Sequence, residues 1–347
     1  KHLAGQEVEA LLPGLLQDIL TSLNFPKTMR WADYDFRFVR PIRWLVALFG
    51  DDVIPVEITG VKSGKLSRGH RFLRPALVED AKAIESLDDA KELLEKAVSA
   101  VKNTVTSAIN KTAGVVEIPC AEAYEQVLMD NFVMVDQDAR RELIRQQVID
   151  LAVEEGGHAE IDEDLLEEVN YLVEWPTALC GKFEDKFLAL PKECIITPMR
   201  EHQRYFPVLK EDGSLLNKFI TVRNGGKEHL EVVAHGNERV LRARLADAEF
   251  FFNEDRKQPL EARLAKLCTV SFQEGLGNMN DKSQRLVKAA DMIAFGLNSK
   301  VDKEKLARTA LLCKTDLVTG MVVEFTELQG VMGREYALLD GEAPEVA

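Results

Sequence analysis

The chain is short of the residues from which most recognisable enzyme chemistry is built. Its 347 residues hold six histidines, His2, His70, His158, His202, His229 and His235, and none follows Asn237. Five cysteines, Cys120, Cys180, Cys194, Cys268 and Cys313, are scattered, odd in number and never spaced as CxxC. That usage argues against a disulfide framework and a structural zinc site, and makes a reducing cytoplasm the expectation. No apolar run approaches the ~20 residues of a membrane-spanning helix. The opening KHLAGQEVEALLPGLLQ lacks the basic, apolar, small order of a signal peptide, and without an initiator Met it reads as the interior of a longer chain. Walker A, nucleophile-elbow and HExxH patterns are absent, and the glycine-rich EGLG at 274–277 reads as a turn between helices. A helical His-Asp metal-dependent phosphohydrolase needs imidazoles beside its carboxylates. Asp316 in LLCKTDL is instead preceded by Cys313, Lys314 and Thr315, so it is expected to cap a helix or to pair with Lys314 or a nearby Arg.

What is present is a large core and an uneven distribution of charge. Hydrophobic residues make up 46% of the chain, enough for two domains. The net charge of -14 excludes a protein that is basic throughout. Residues 27–74, however, carry ten Lys/Arg against five Asp/Glu, whereas 75–170 carry eight against twenty-three. One region attracts phosphate and the next repels it.

Along the chain, 8–23 reads as an amphipathic helix interrupted at Pro13-Gly14. Segments 36–39, 44–49 and 53–58 are β-like, with Gly50-Asp51-Asp52 as a hairpin turn. Helical spacing follows at 78–101, at 137–155 with Gln137-Asp138 as amino-terminal cap, and at 162–172. A turn at Gly213 joins 205–209 to 219–222. After Asn237 β signals almost vanish, and helical spacing recurs at 239–254, 259–267, 280–298 and 303–319. The expected architecture is α+β, with one mixed domain at 1–236 and one helical domain at 237–347.

The stretch NERVLRARLADAEFFFNEDRK at 237–257 combines both signals. Leu241, Leu245, Ala248 and Phe252 fall on one helical face that should bury. Arg239 and Arg242 point away from it, and Arg244 is placed for an i,i+3 pair with Asp247. Such a helix is either a solvated amphipathic face or a presenter of guanidinium forks to phosphates. Lys27, Arg30, Arg37, Arg40, Arg43, Arg68, His70, Arg71 and Arg74 are interleaved with Phe25, Trp31, Phe36, Phe38, Trp44 and Phe72, a mixture that suits a nucleic acid. Phe36 and Phe38 share a strand face, so the aromatics are assigned to the core and only some of the cations to a partner. The cluster PMREHQRYF, with Arg200, His202, Arg204 and Tyr205, is read as a polar surface contact in preference to a catalytic site.

Several long motifs carry a resemblance that composition does not. FPKTMRW at 25–31, RFVRPIRWLVALFGDDVIPVEI from Arg37, SRGHRFL from Ser67, LVEWPTALCGKF from Leu172, FLALPKECIITPMREHQRYFPV from Phe187, GNERVLRARLADAEFFFNEDRKQPLE from Gly236 and FTELQGVMGREYA from Phe325 resemble the beta subunit of the bacterial heterotetrameric glycyl-tRNA synthetase. The likeness spans the chain. It implies that the first domain resembles the B3/B4-type domain of the phenylalanyl-tRNA synthetase beta subunit and the second an HD-type helical domain. Both are modules of hydrolytic or editing ancestry, here expected to serve in binding. Family members begin with a further amino-terminal segment and continue into another helical body and an anticodon-binding domain, so this chain is expected to be an internal fragment.

The resemblance implies a ligase in which the alpha subunit, with ATP and Mg, activates glycine, while beta binds tRNA within an α2β2 holoenzyme in the cytoplasm. This fragment alone is expected to be inactive and to hold no cofactor. The candidate tRNA contacts are Lys27, Arg30, Arg40, Arg43, Arg68, His70, Arg71, Arg200, His202, Arg204, Arg239 and Arg242. Phe325, Leu328, Val331 and Met332 are the candidate contact with alpha, or else core. A scaffold that supports alpha without touching RNA is the alternative. A deacylase on the first domain would rest on fold analogy alone, and glycine has no smaller competitor to be sieved out.

Overall fold

The computed structural model describes residues 7–73 and 114–347. Arg74 and the helix predicted at 78–101 lie outside them. The described residues are mixed α/β and form two compact units.

The first unit takes in the described residues up to Leu143 together with Asn170–Thr177 and Asn224–Gly226. It opens with the helix Val8–Ser22, which runs through Pro13 where an interruption was expected. Proline removes a single i to i−4 hydrogen bond, and none of this helix's side chains is buried. Its strands are short. Leu48–Phe49 pairs antiparallel with Asp52–Val53 around Gly50, whose φ of 56° supplies the positive dihedral a two-residue hairpin needs. Leu45–Val46, Val61–Gly64 and Glu57–Ile58 make a three-stranded sheet, and Leu66–Arg68 pairs with Val115–Glu117. The predicted strand at 36–39 is reduced to one bridge between Met29 and Phe38. Phe25, Trp31, Phe36 and Phe38 instead pack on one another, with Phe25 edge-on to Phe38 at 4.9 Å and Phe36 stacked on Phe38 at 5.8 Å.

Asn224 fastens this unit. Its Oδ1 accepts the backbone N–H groups of Glu174 and Trp175, both at 3.0 Å, and the Nε2–H of His70 at 3.0 Å. Arg140 is buried and donates Nε–H to the carbonyl and side-chain oxygens of Asn170.

The second unit comprises Ile144–Val169, Ala178–Arg223 and Lys227–Ala347. Its sheet runs in the order His158–Ala159, Phe206–Leu209, Leu215–Asn224, Pro176–Lys182. The turn predicted at Gly213 connects the two central strands, and Asp212 accepts the backbone N–H of Ser214. Contacts therefore divide elsewhere than at 236/237. The long helix Leu230–Asp255 inserts Leu241, Leu245, Ala248 and Phe252, the predicted stripe, into a core shared with Phe183, Phe187, Ile195, Met199 and Phe219. The same core takes in Met321, Phe325, Leu328, Met332 and Tyr336. After Asn237 the chain is helical apart from one small hairpin, Ser271–Gln273 with Gly277–Asn278, so EGLG follows a short strand and closes a hairpin.

Candidate nucleic-acid interface

In the first unit the cations sit on a scaffold of aromatics. Lys27, Arg37, Arg40, Arg43, Arg68 and Arg71 are exposed. Arg30 is exposed too, and is paired with Asp35 at 3.4 Å. The guanidinium of Arg68 lies over the Trp44 ring, 5.4 Å from its centroid, and Arg71 lies 5.5 Å from that of Phe72. Beside the first pair opens a cavity of about 360 Å³ lined by Trp44, Leu45, Leu48, Ser67 and Tyr124. Trp44 and Tyr124 are 44% and 38% exposed, so an indole and a phenol ring line one open depression, and the Arg68 guanidinium lies over the indole. Such a depression suits a base or ribose with its phosphate.

His70 requires a correction. It is 2% exposed, and its Nδ1 accepts the backbone N–H groups of Phe72 and Leu73 while Nε2–H donates to Asn224. Those bonds occupy both ring nitrogens and leave neither for a phosphate. In SRGHRFL the histidine holds the backbone that carries Arg68 and Arg71.

In the second unit the candidate arginines are more often occupied. Arg200 pairs with Asp162, Arg204 with Glu168 at 2.6 Å, and Arg242 with Glu184. Glu184 is held below its ordinary pKa first by its own backbone N–H and then by Arg242. His202 stacks on Phe325 at 6.0 Å, and its Nδ1 is buried without a hydrogen-bond partner. Arg244 pairs with Glu324 at 3.6 Å in place of Asp247, because the Gly320–Glu324 helix packs alongside. Arg239 is exposed, with no carboxylate within ion-pair distance among the described residues.

Phe325, Leu328 and Met332, at 1% exposure or less, are core residues and offer no surface to a partner, while Val331 is half-buried. Helical spacing alone does not separate a docking face from a buried one. Among the exposed apolar side chains of this unit, Met292, Ile293, Phe295 and Leu297 fall close together in sequence, each 61% exposed or more.

Asp316, where an HD-type enzyme would place a metal ligand, caps a helix. Its Oδ2 accepts the Gly330 N–H at 2.5 Å, and the Gly333 N–H points to the same carboxylate. Its Oδ1 is buried without a partner, and burial raises its pKa. No ion pair with Lys314 or an arginine forms, and no group of three or more His, Cys, Asp or Glu among the described residues is arranged to hold a metal. This donor set does not fit a divalent cation.

The family model described as Glycyl-tRNA synthetase beta subunit matches residues 1–114 and 89–347. The chain belongs to this family. It is 47% identical over 347 residues to the glycine–tRNA ligase beta subunit of Moorella thermoacetica, covering 100% of this chain and 44% of that protein. The corresponding subunits of Desulforamulus reducens and Bacillus subtilis are 46% and 44% identical over 348 residues, again covering 100% of this chain and 45% of each relative. The chain thus spans less than half the length of these curated relatives. Among the described residues no helix is long and apolar enough to cross a membrane.

Proposed function

We propose that the chain is the non-catalytic, tRNA-binding portion of the beta subunit of a heterotetrameric glycine–tRNA ligase. In this reading a separate alpha subunit, with ATP and Mg, attaches glycine to its tRNA in a cytoplasmic α2β2 assembly. The observation that carries the reading is the match of one beta-subunit family along the entire chain. The depression lined by Trp44 and Tyr124, with Arg68 over the Trp44 ring, supports an RNA contact, because a cation adjoins stacking surfaces there. The naming of 1–236 as B3/B4-like and 237–347 as HD-like belongs to the same proposal. A division by ancestry need not coincide with a division of packing.

The mechanism is positional. Phosphate contacts orient the tRNA so that its terminal adenosine reaches the partner's active site, and they carry no sequence information of their own. Asp316 fits this division of labour, since a carboxylate that caps a helix is not available for hydrolysis.

The pairing of Arg30, Arg200, Arg204 and Arg242 with carboxylates favours a second reading, a scaffold for alpha without RNA contact here. Binding of glycine tRNA by the full-length subunit, alone and with alpha, across a salt series separates the two. Steep salt dependence without alpha supports the RNA site; loss of binding without alpha supports the scaffold.

A further inference from the structure

A second group of cations lies on the helix Met279–Gly296. Lys282, Arg285 and Lys288 recur at i, i+3 and i+6 on one side of the helix, and like charges at this spacing repel. Lys282 also stands in the first turns, where the positive end of the helix dipole disfavours a cation. The usual remedy is a neighbouring carboxylate. Among the described residues none lies within ion-pair distance of the three, although two are close in sequence. Asp281 is committed to a capping box, accepting the Asn278 N–H at 3.0 Å while Asn278 accepts its own. Asp291 pairs with Lys303 at 3.5 Å.

Two of these cations are nonetheless held in place. The Lys282 Nζ and the Arg285 Cζ lie 4.6 and 5.8 Å from the centroid of the Phe272 ring, on the first strand of the hairpin before the helix. The hairpin is tied to the helix start by the Met279 N–H donated to the Val270 carbonyl at 2.8 Å. An aromatic face orients two charges without neutralising them and leaves their N–H groups free. In a protein of net charge -14, three uncompensated cations, two of them oriented by one ring, are complementary to a polyanion.

We propose that Phe272, Lys282, Arg285 and Lys288 form a phosphate-binding platform for an RNA backbone, with Phe272 as the anchor and the three cations as the contacts. This rests on the tRNA-binding reading above and adds a surface to it. The platform carries affinity and salt dependence, and no discrimination among bases.

The test is the salt dependence of tRNA binding by full-length beta with its partner subunit, for wild type, K282Q/R285Q/K288Q and K282R/R285K/K288R. The glutamine variant should lower the slope of log affinity against log salt by about two to three, and the charge-retaining variant should keep it. Should the triple variant fail to fold, the single exposed change Arg285→Gln should lower the slope by about one. A wild-type slope in the glutamine variants overturns the platform. If an Arg68 variant lowers the slope while these do not, the platform falls and the tRNA reading survives. If wild type binds without salt dependence, both fall.

Discussion

Asp255 and Asp316 show how two buried carboxylates of one unit are kept at different cost. Asp255 accepts the N–H groups of Gly320 and Met321 at 2.8 and 2.9 Å and the Tyr336 hydroxyl at 3.1 Å, with Arg263 3.4 Å away. Removing it strands the Arg263 charge, so Asp255→Ala should destabilise by about 3–5 kcal/mol in urea unfolding. Asp316 has no cationic partner and one orphaned oxygen, and burial raises its pKa above the ordinary 3.8. A raised carboxylate contributes stability at pH below its unfolded value and loses that contribution as pH rises through the folded one. Asp316→Asn keeps an acceptor for the Gly330 N–H and cannot ionise. Its stability relative to wild type should therefore increase as pH rises above about 4. Parallel stability curves for the two proteins from acid to neutral pH would sink this account. Among the cysteines, burial pushes the Cys180 and Cys194 thiols up to about 11 and about 12 and also raises that of Cys313, so of the two exposed cysteines, Cys268 and Cys313, thiol reagents should label Cys268 first.

At the level of the element, the long helix Leu230–Asp255 separates core from surface by periodicity. Leu245 is 0% exposed, and Leu245→Ala should cost about 2–5 kcal/mol, whereas Val240→Ala, at a 45% exposed position, should stay within about 0.5 kcal/mol. Comparable losses from both would contradict the assigned burial. The Met279–Gly296 helix depends on its start. Asn278→Ala removes half of the capping box and should cost about 1 kcal/mol. Gly277 cannot be replaced cheaply, because its φ is 80° and a Cβ there would run into Asp281. The apolar stripe, the Gly50 hairpin and the Gly213 turn were legible because each depends on neighbours in sequence. The cap of helix Gln137–Glu154 was misplaced by one residue: Asp136 accepts the N–H groups of Asp138 and Ala139, and these bonds hold its pKa down. Asp, Gln and Asp follow one another there, and only backbone geometry selects among them.

For the whole molecule, a charge of -14 means that any RNA must be drawn to local basic surface against a repulsive average. Arg68→Glu should weaken tRNA binding about equally for different tRNA sequences and lower the salt slope by at least about one. A change in sequence preference would instead assign Arg68 to base recognition. The sequence by itself determined the family, the mixed α/β class, the buried face of the long helix and the basic character of 27–74, since these reside in local order, spacing and composition. Tertiary structure decided which charges are free and which apolar residues are surface. Arg200 and Arg204 meet Asp162 and Glu168 from some forty residues away, His70 is buried by Asn224, and Phe325, Leu328 and Met332 are covered by a core that includes the long helix. Long-range partners are set by the path of the chain in space, and a pattern read along the sequence has no term for them.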